Sequence, residues 1–81
     1  MEAIPYKTKA GTEQFRPAMS EDEFMEEKEA YTGFCLACGN TQGQCEPDAR
    51  KYTCTDCGHP KVYGLEELLL MGLLRLNGGE E

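Results

Sequence analysis

The chain has 81 residues, a formal charge of −7, 28 % charged side chains and no tryptophan, which describes one small acidic domain. A chain of this length removes only about 60 % of its unfolded surface from water, so an apolar core alone is marginal and an internal staple is expected. The negative balance argues against nucleic acid or anionic lipid as partner, because attraction to phosphate dominates non-specific affinity for both.

The charge is spread unevenly. Residues 1–30 hold eight acids and four bases, residues 31–64 three of each, and residues 65–81 four acids and one base. The balanced middle is flanked by acidic ends, and a basic protein surface suits such ends better than DNA does. The opening residues Met1-Glu2-Ala3-Ile4-Pro5 carry neither the charged nor the apolar stretch of an export signal.

In residues 1–19, Ile4, Tyr6 and Thr8 alternate with other neighbours, Lys9-Ala10-Gly11 reads as a turn, and Thr12 to Arg16 can return. This segment is either a hairpin or a tail, since a lone two-stranded hairpin is barely stable in water. Pro17 is expected to stop any strand there. Met19-Ser20-Glu21-Asp22-Glu23-Phe24 then has the pattern of a helix start. Ser20 is placed as N-cap, Glu23 as its capping-box partner, and Met19 with Phe24 as a hydrophobic staple. Three acids in the first turn complement the positive end of the helix dipole. An acidic helix is expected over residues 20–31.

The middle of the chain repeats one device. Cys35-Leu36-Ala37-Cys38-Gly39 and Cys54-Thr55-Asp56-Cys57-Gly58 are both Cys-x-x-Cys-Gly, with fifteen residues between Cys38 and Cys54. Two residues between cysteines let one tight turn aim both sulfurs at a point, and the following glycine admits the positive φ that the turn requires. Two such turns supply the closed tetrahedral sulfur set of structural zinc. Cys35, Cys38, Cys54 and Cys57 are therefore expected to hold one structural Zn²⁺. Paired knuckles behind no export signal point to a reducing compartment, and a cytoplasmic location is expected. Cys45, outside both knuckles, reads as a small buried apolar residue, and His59 as a surface ring or an outer neighbour of the metal.

Around the knuckles, Gln42 to Cys45, Arg50 to Thr53 and Lys61 to Tyr63 read as three antiparallel strands, with a turn at Glu46-Pro47-Asp48-Ala49. Phe34, Tyr52, Val62 and Tyr63 are expected to shield the sulfurs from water. Two knuckles joined in this way resemble the zinc ribbon superfamily, over roughly residues 31–64. The strings Cys45-Glu46-Pro47-Asp48-Ala49-Arg50-Lys51-Tyr52 and Val62-Tyr63-Gly64-Leu65-Glu66-Glu67-Leu68-Leu69-Leu70 also resemble small zinc-ribbon proteins of bacteriophages and prophages. The resemblance implies a fold and a source; it implies no activity. The expected class is small α+β, a zinc ribbon flanked by the acidic helix and by an apolar C-terminal helix, in a single domain.

That last helix is expected over residues 65–77, closed by Asn77-Gly78-Gly79. At about 18 Å its apolar run is too short for a bilayer core of about 30 Å. Its leucines cover nearly the whole circumference, and Gly72 reads as a point of close backbone approach. Leu69, Leu70, Leu73, Leu74 and Leu76 are expected to meet a partner, either a second copy in a homodimer or another protein. Four sulfurs leave a metal no open position, and with one histidine no hydrolytic triad can form, so no enzymatic activity is expected. The expected function is that of a zinc-stabilised protein-binding module. Alternatives are a nucleic-acid-binding or transcription-regulating ribbon and, more remotely, a rubredoxin-like electron carrier, whose two knuckles hold iron.

Overall fold

A computed structural model of the chain describes residues 1–76. The elements in order are β1 (Glu2–Lys7), β2 (Glu13–Met19), α1 (Glu21–Glu29), β3 (Gly33–Cys35), β4 (Thr41–Gln42), β5 (Val62–Gly64), α2 (Leu65–Leu70) and β6 (Arg75–Leu76). They form two three-stranded sheets, ordered β1-β2-β6 and β4-β3-β5, with two helices. The architecture is small α+β.

Residues 1–19 form a hairpin, with Glu2 opposite Ala18 and Lys7 opposite Glu13. Pro17 does not stop β2; it lies within it, opposite Ala3. Alternate N–H groups of a strand point the same way. The N–H of Phe15 points out of the hairpin to the Leu36 carbonyl, at 2.8 Å. The missing N–H of Pro17, two residues on, is therefore on that outer side and costs the hairpin no bond. The partner that supports the hairpin is β6, which pairs parallel to Ala18 and Met19.

Helix α1 begins at the expected cap, but the capping box is only half made, because the Glu23 carboxylate turns to Met1 and not back to Ser20. Ser20 is the N-cap, and its hydroxyl accepts from the Glu23 N–H at 3.1 Å. Met19 and Phe24 enter the same apolar cluster. The Glu23 carboxylate pairs with the Met1 ammonium.

Sheet β4-β3-β5 is the partition of the molecule. Residues 33, 34 and 35 pair with 64, 63 and 62, and side chains alternate across the sheet. Phe34 and Tyr63 therefore enter one cluster, with Met19, Phe24, Leu36, Leu65, Leu68 and Leu74. Cys35 and Val62 enter the other, with Cys45, Ala49 and Cys54. Two glycines face each other at the end of this pairing, Gly33 and Gly64. The chain from Cys45 to Pro47 crosses directly over them: a Cβ on Gly33 would lie 2.5 Å from the Cys45 sulfur, and one on Gly64 2.1 Å from the Glu46 carbonyl oxygen.

Several expectations need correction. The three strands expected at 42–45, 50–53 and 61–63 give way to a sheet centred on β3; the 50–53 segment contributes one isolated bridge, Tyr52 to Val62. The helix expected over 65–77 ends at Leu70, with Met71 as C-cap. Gly72 adopts φ +79° with open space where a Cβ would be, so its role is the turn and not close approach. The Gly72 N–H donates to the Leu69 carbonyl at 3.1 Å and the Leu73 N–H to the Leu68 carbonyl at 3.0 Å. This is the Schellman closure, in which a left-handed glycine turns the chain and satisfies the last helical carbonyls. Arg16 holds the turned chain, donating to the carbonyls of Leu73 (2.9 Å) and Gly72 (3.3 Å). Residues 77–79, expected to end the helix, lie outside the described residues.

Candidate metal centre

The four knuckle cysteines meet. Cys35 closes β3 and Cys38 follows in the same turn; Cys54 and Cys57 form the second turn, just before β5. Their sulfurs all lie within 4.8 Å of one another. Two pairs between the knuckles, Cys35 with Cys57 and Cys38 with Cys54, are each 3.6 Å apart. A tetrahedron of sulfurs about 2.3 Å from a central zinc has edges of about 3.8 Å, so the set fits such an ion. These four residues could hold one metal.

Each knuckle is built as its five residues suggest. Gly39 has φ +82° and Gly58 φ +79°, and the Gly39 and Gly58 N–H groups return to the carbonyls of Cys35 and Cys54 at 2.8 and 3.0 Å. The turns aim backbone N–H groups at sulfur: those of Asp56 and Cys57 approach the Cys54 sulfur at 3.3 and 3.4 Å. These donors, Cys57 foremost, bring the Cys54 thiol down to about 7. Burial has the opposite effect on Cys35, which is pushed up to about 12, and it also raises Cys38. Four thiolates repel one another at this spacing, so without a cation the cluster keeps protons; a metal ion replaces them and supplies the balancing charge.

Polar side chains outside the sulfurs join the knuckles. Asn40 Nδ2 donates to Asp56 Oδ2 at 2.9 Å. Gln42 Oε1 accepts from the Thr55 N–H at 3.0 Å, while Gln42 Nε2 donates to the Thr53 carbonyl at 3.3 Å. His59 Nδ1 lies 3.4 Å from the Cys57 sulfur, the outer-neighbour position expected for it. Neither Asn40 nor Gln42 belongs to a motif and their partners lie 11–16 residues away, so no local signal in the sequence marks them.

Of the residues expected to shield the sulfurs, Val62 alone lies in their cluster. Phe34 and Tyr63 project from the opposite face of the sheet, and Tyr52 is exposed, donating its hydroxyl to Glu46. Cys45 is buried beside Gly33, as a small apolar residue would be. The expected partner leucines divide. Leu69, Leu70 and Leu76 are exposed, Leu70 at 79 %, whereas Leu73 packs against the core and Leu74 is buried in it. Leu74 is thus no surface residue: the turn at Gly72 carries it inward. Met71 joins the exposed group.

No helix among the described residues is long and apolar enough to cross a membrane. Comparison of the chain with protein-family models, with curated proteins and with solved structures finds no match.

Proposed function

We propose that this chain is a zinc-stabilised protein-binding module of the zinc ribbon type, from a bacteriophage or prophage, acting in a reducing cytoplasm by occupying a protein of the host or virus. The metal's part is structural, because four sulfurs fill a tetrahedral ion and leave no position for substrate. The observation that carries the binding half is the exposure of Leu69, Leu70 and Met71 at the end of α2, with Leu76 close behind in sequence. Glu66 lies three and four residues before Leu69 and Leu70, on the same helix face, so the apolar side chains are bordered by acid. α1, which packs against α2, also leaves Met25 exposed among Glu21, Asp22, Glu26 and Glu29. Apolar side chains bordered by acid favour a partner with an apolar centre and basic rim, and electrostatic steering would speed its approach.

The test has two arms. The zinc-loaded parent and a Leu70→Glu/Met71→Glu variant are compared for capture of bacterial proteins and for mass in native solution. The reading expects one protein retained in equal amount by the parent, lost by the variant, and rebuilt as a 1:1 complex from purified components. Equal capture by both, or no stoichiometric protein, would refute it. A salt-steep shift of DNA or RNA would restore the nucleic-acid alternative, and a dimer that the variant dissolves would make the partner a second copy.

A further inference from the structure

We infer that Asn40 and Gln42 are positioning residues that hold the second knuckle against the first and thereby slow release of the bound metal; this rests on the metal-binding reading above.

The second knuckle has little regular structure to hold it. Between β4 and β5 the chain forms no ladder with the sheet apart from the Tyr52–Val62 bridge. The bonds from Gly58 to Cys54 and from Cys54 to His59 close the knuckle on itself and tie it to nothing else. The first knuckle is anchored differently. Cys35 ends a strand paired on both sides, Leu36 donates to Lys61 at 2.9 Å, and the Leu36 carbonyl takes the Phe15 N–H.

Asn40 and Gln42 reach across from that anchored side. The Asn40 carbonyl accepts the Cys35 N–H at 2.9 Å, and Gln42 lies in β4 opposite Gly33, so the backbone of each is fixed to β3. Gln42 grips the residues on either side of Cys54: its oxygen takes the Thr55 N–H and its nitrogen reaches the Thr53 carbonyl. Asn40 takes the side chain of Asp56, next to Cys57. These side-chain bonds act on backbone or side chains adjacent to ligands and none on a ligand sulfur. Metal leaves a four-sulfur site by losing sulfurs in turn. A knuckle held in place returns its free sulfur before the ion escapes, the same gain in effective concentration that a short tether gives.

The Asn40–Asp56 pair permits a test that preserves net charge. Asn40→Asp sets two carboxylates against each other; adding Asp56→Asn restores a donor and an acceptor in reversed order. Zinc-loaded proteins are mixed with excess chromophoric chelator and the rate of zinc transfer is followed. Gln42→Ala and Asn40→Asp are expected to release zinc about 10- to 100-fold faster than the parent, the affinity that outer groups of metal sites typically contribute, lost here through faster release. Asn40→Asp/Asp56→Asn is expected to return close to the parental rate. Ser20→Ala removes the cap of α1, away from the knuckles, and serves as a destabilised control expected to release zinc as the parent does. Parental rates in Gln42→Ala and Asn40→Asp, no recovery in the reversed pair, or equal acceleration by Ser20→Ala would each overturn the inference while leaving the metal site standing. A parent that takes up no metal would overturn both.

Discussion

Replacing Gly64 by alanine should be the most damaging one-carbon change in this protein. Its Cβ would lie 2.1 Å from the Glu46 carbonyl oxygen and 2.3 Å from that of Pro47. Even close carbon–oxygen contacts stay near 3.3 Å, so the 46–47 backbone must retreat by about 1 Å. Two hydrogen bonds span the same gap, Gly64 N–H to the Ala49 carbonyl at 3.0 Å and Glu67 N–H to the Pro47 carbonyl at 2.9 Å. Losing both costs about 1 kcal/mol each, and overpacking adds about 1–3 kcal/mol, for a total of about 3–5 kcal/mol. In a domain of this size each kcal/mol lowers Tm by about 4–8 °C, so a fall of at least about 12 °C is expected. Gly43 is the control: nothing lies within 4 Å of its Cβ position and its φ is not positive. Gly43→Ala should leave stability unchanged or raise it by about 0.4–1 kcal/mol, through the unfolded chain. The assay is thermal melting of the two metal-loaded variants beside the parent, followed by far-ultraviolet circular dichroism. If Gly64→Ala melts within about 4 °C of the parent, or both variants shift alike, the packing argument fails.

Three further outcomes are expected. Zinc-finger peptides gain on the order of 10 kcal/mol from their metal, more than a core of this size supplies. Chelation should therefore abolish the cooperative melt, and an unchanged transition would refute a structural role for the metal. Cys54→Ser should lose the metal, whereas Cys45→Ala should keep one per chain by elemental analysis and cost about 0.5–1.5 kcal/mol, as deletion of one buried group does; loss of metal from the Cys45 variant would make that residue a ligand. Metal affinity should fall as pH falls, because burial raises the Cys35 and Cys38 thiols in the metal-free cluster and both must release their protons to bind. Each proton displaced gives about a tenfold loss of affinity per pH unit, so these two alone give at least about a 100-fold loss per unit around neutrality. Competition titrations at several pH values would show it, and a pH-independent affinity would contradict the assignment.

The parts legible from the chain are those governed by neighbours within about five residues. A Cys-x-x-Cys-Gly turn carries its own geometry, so both knuckles and the positive φ of Gly39 and Gly58 could be read before any fold was known. The Ser20 cap is equally local. The closure at Gly72 was in principle legible as well, since a glycine between Met71 and Leu73 suits the left-handed turn of a helix end. A continuous run of leucines masked it, because apolar residues on every side offer no period by which to see where a helix stops.

Pairing and burial were decided elsewhere. Whether Pro17 breaks a strand depends on which side its missing N–H faces, and that side is set by the pairing of β2 with β1, which leaves the Phe15 N–H to Leu36. Leu70 and Leu74 are the same residue type four positions apart, yet one is exposed and the other buried, because Arg16, 57 residues before Leu73, takes the turned chain back against β2. The sequence by itself determined which four cysteines could share a metal and the local turns that carry them, where chemistry acts over a few bonds. Only the tertiary structure decided which glycines must stay bare, which leucines remain outside and which amides join the knuckles, since those depend on groups brought together from distant parts of the chain.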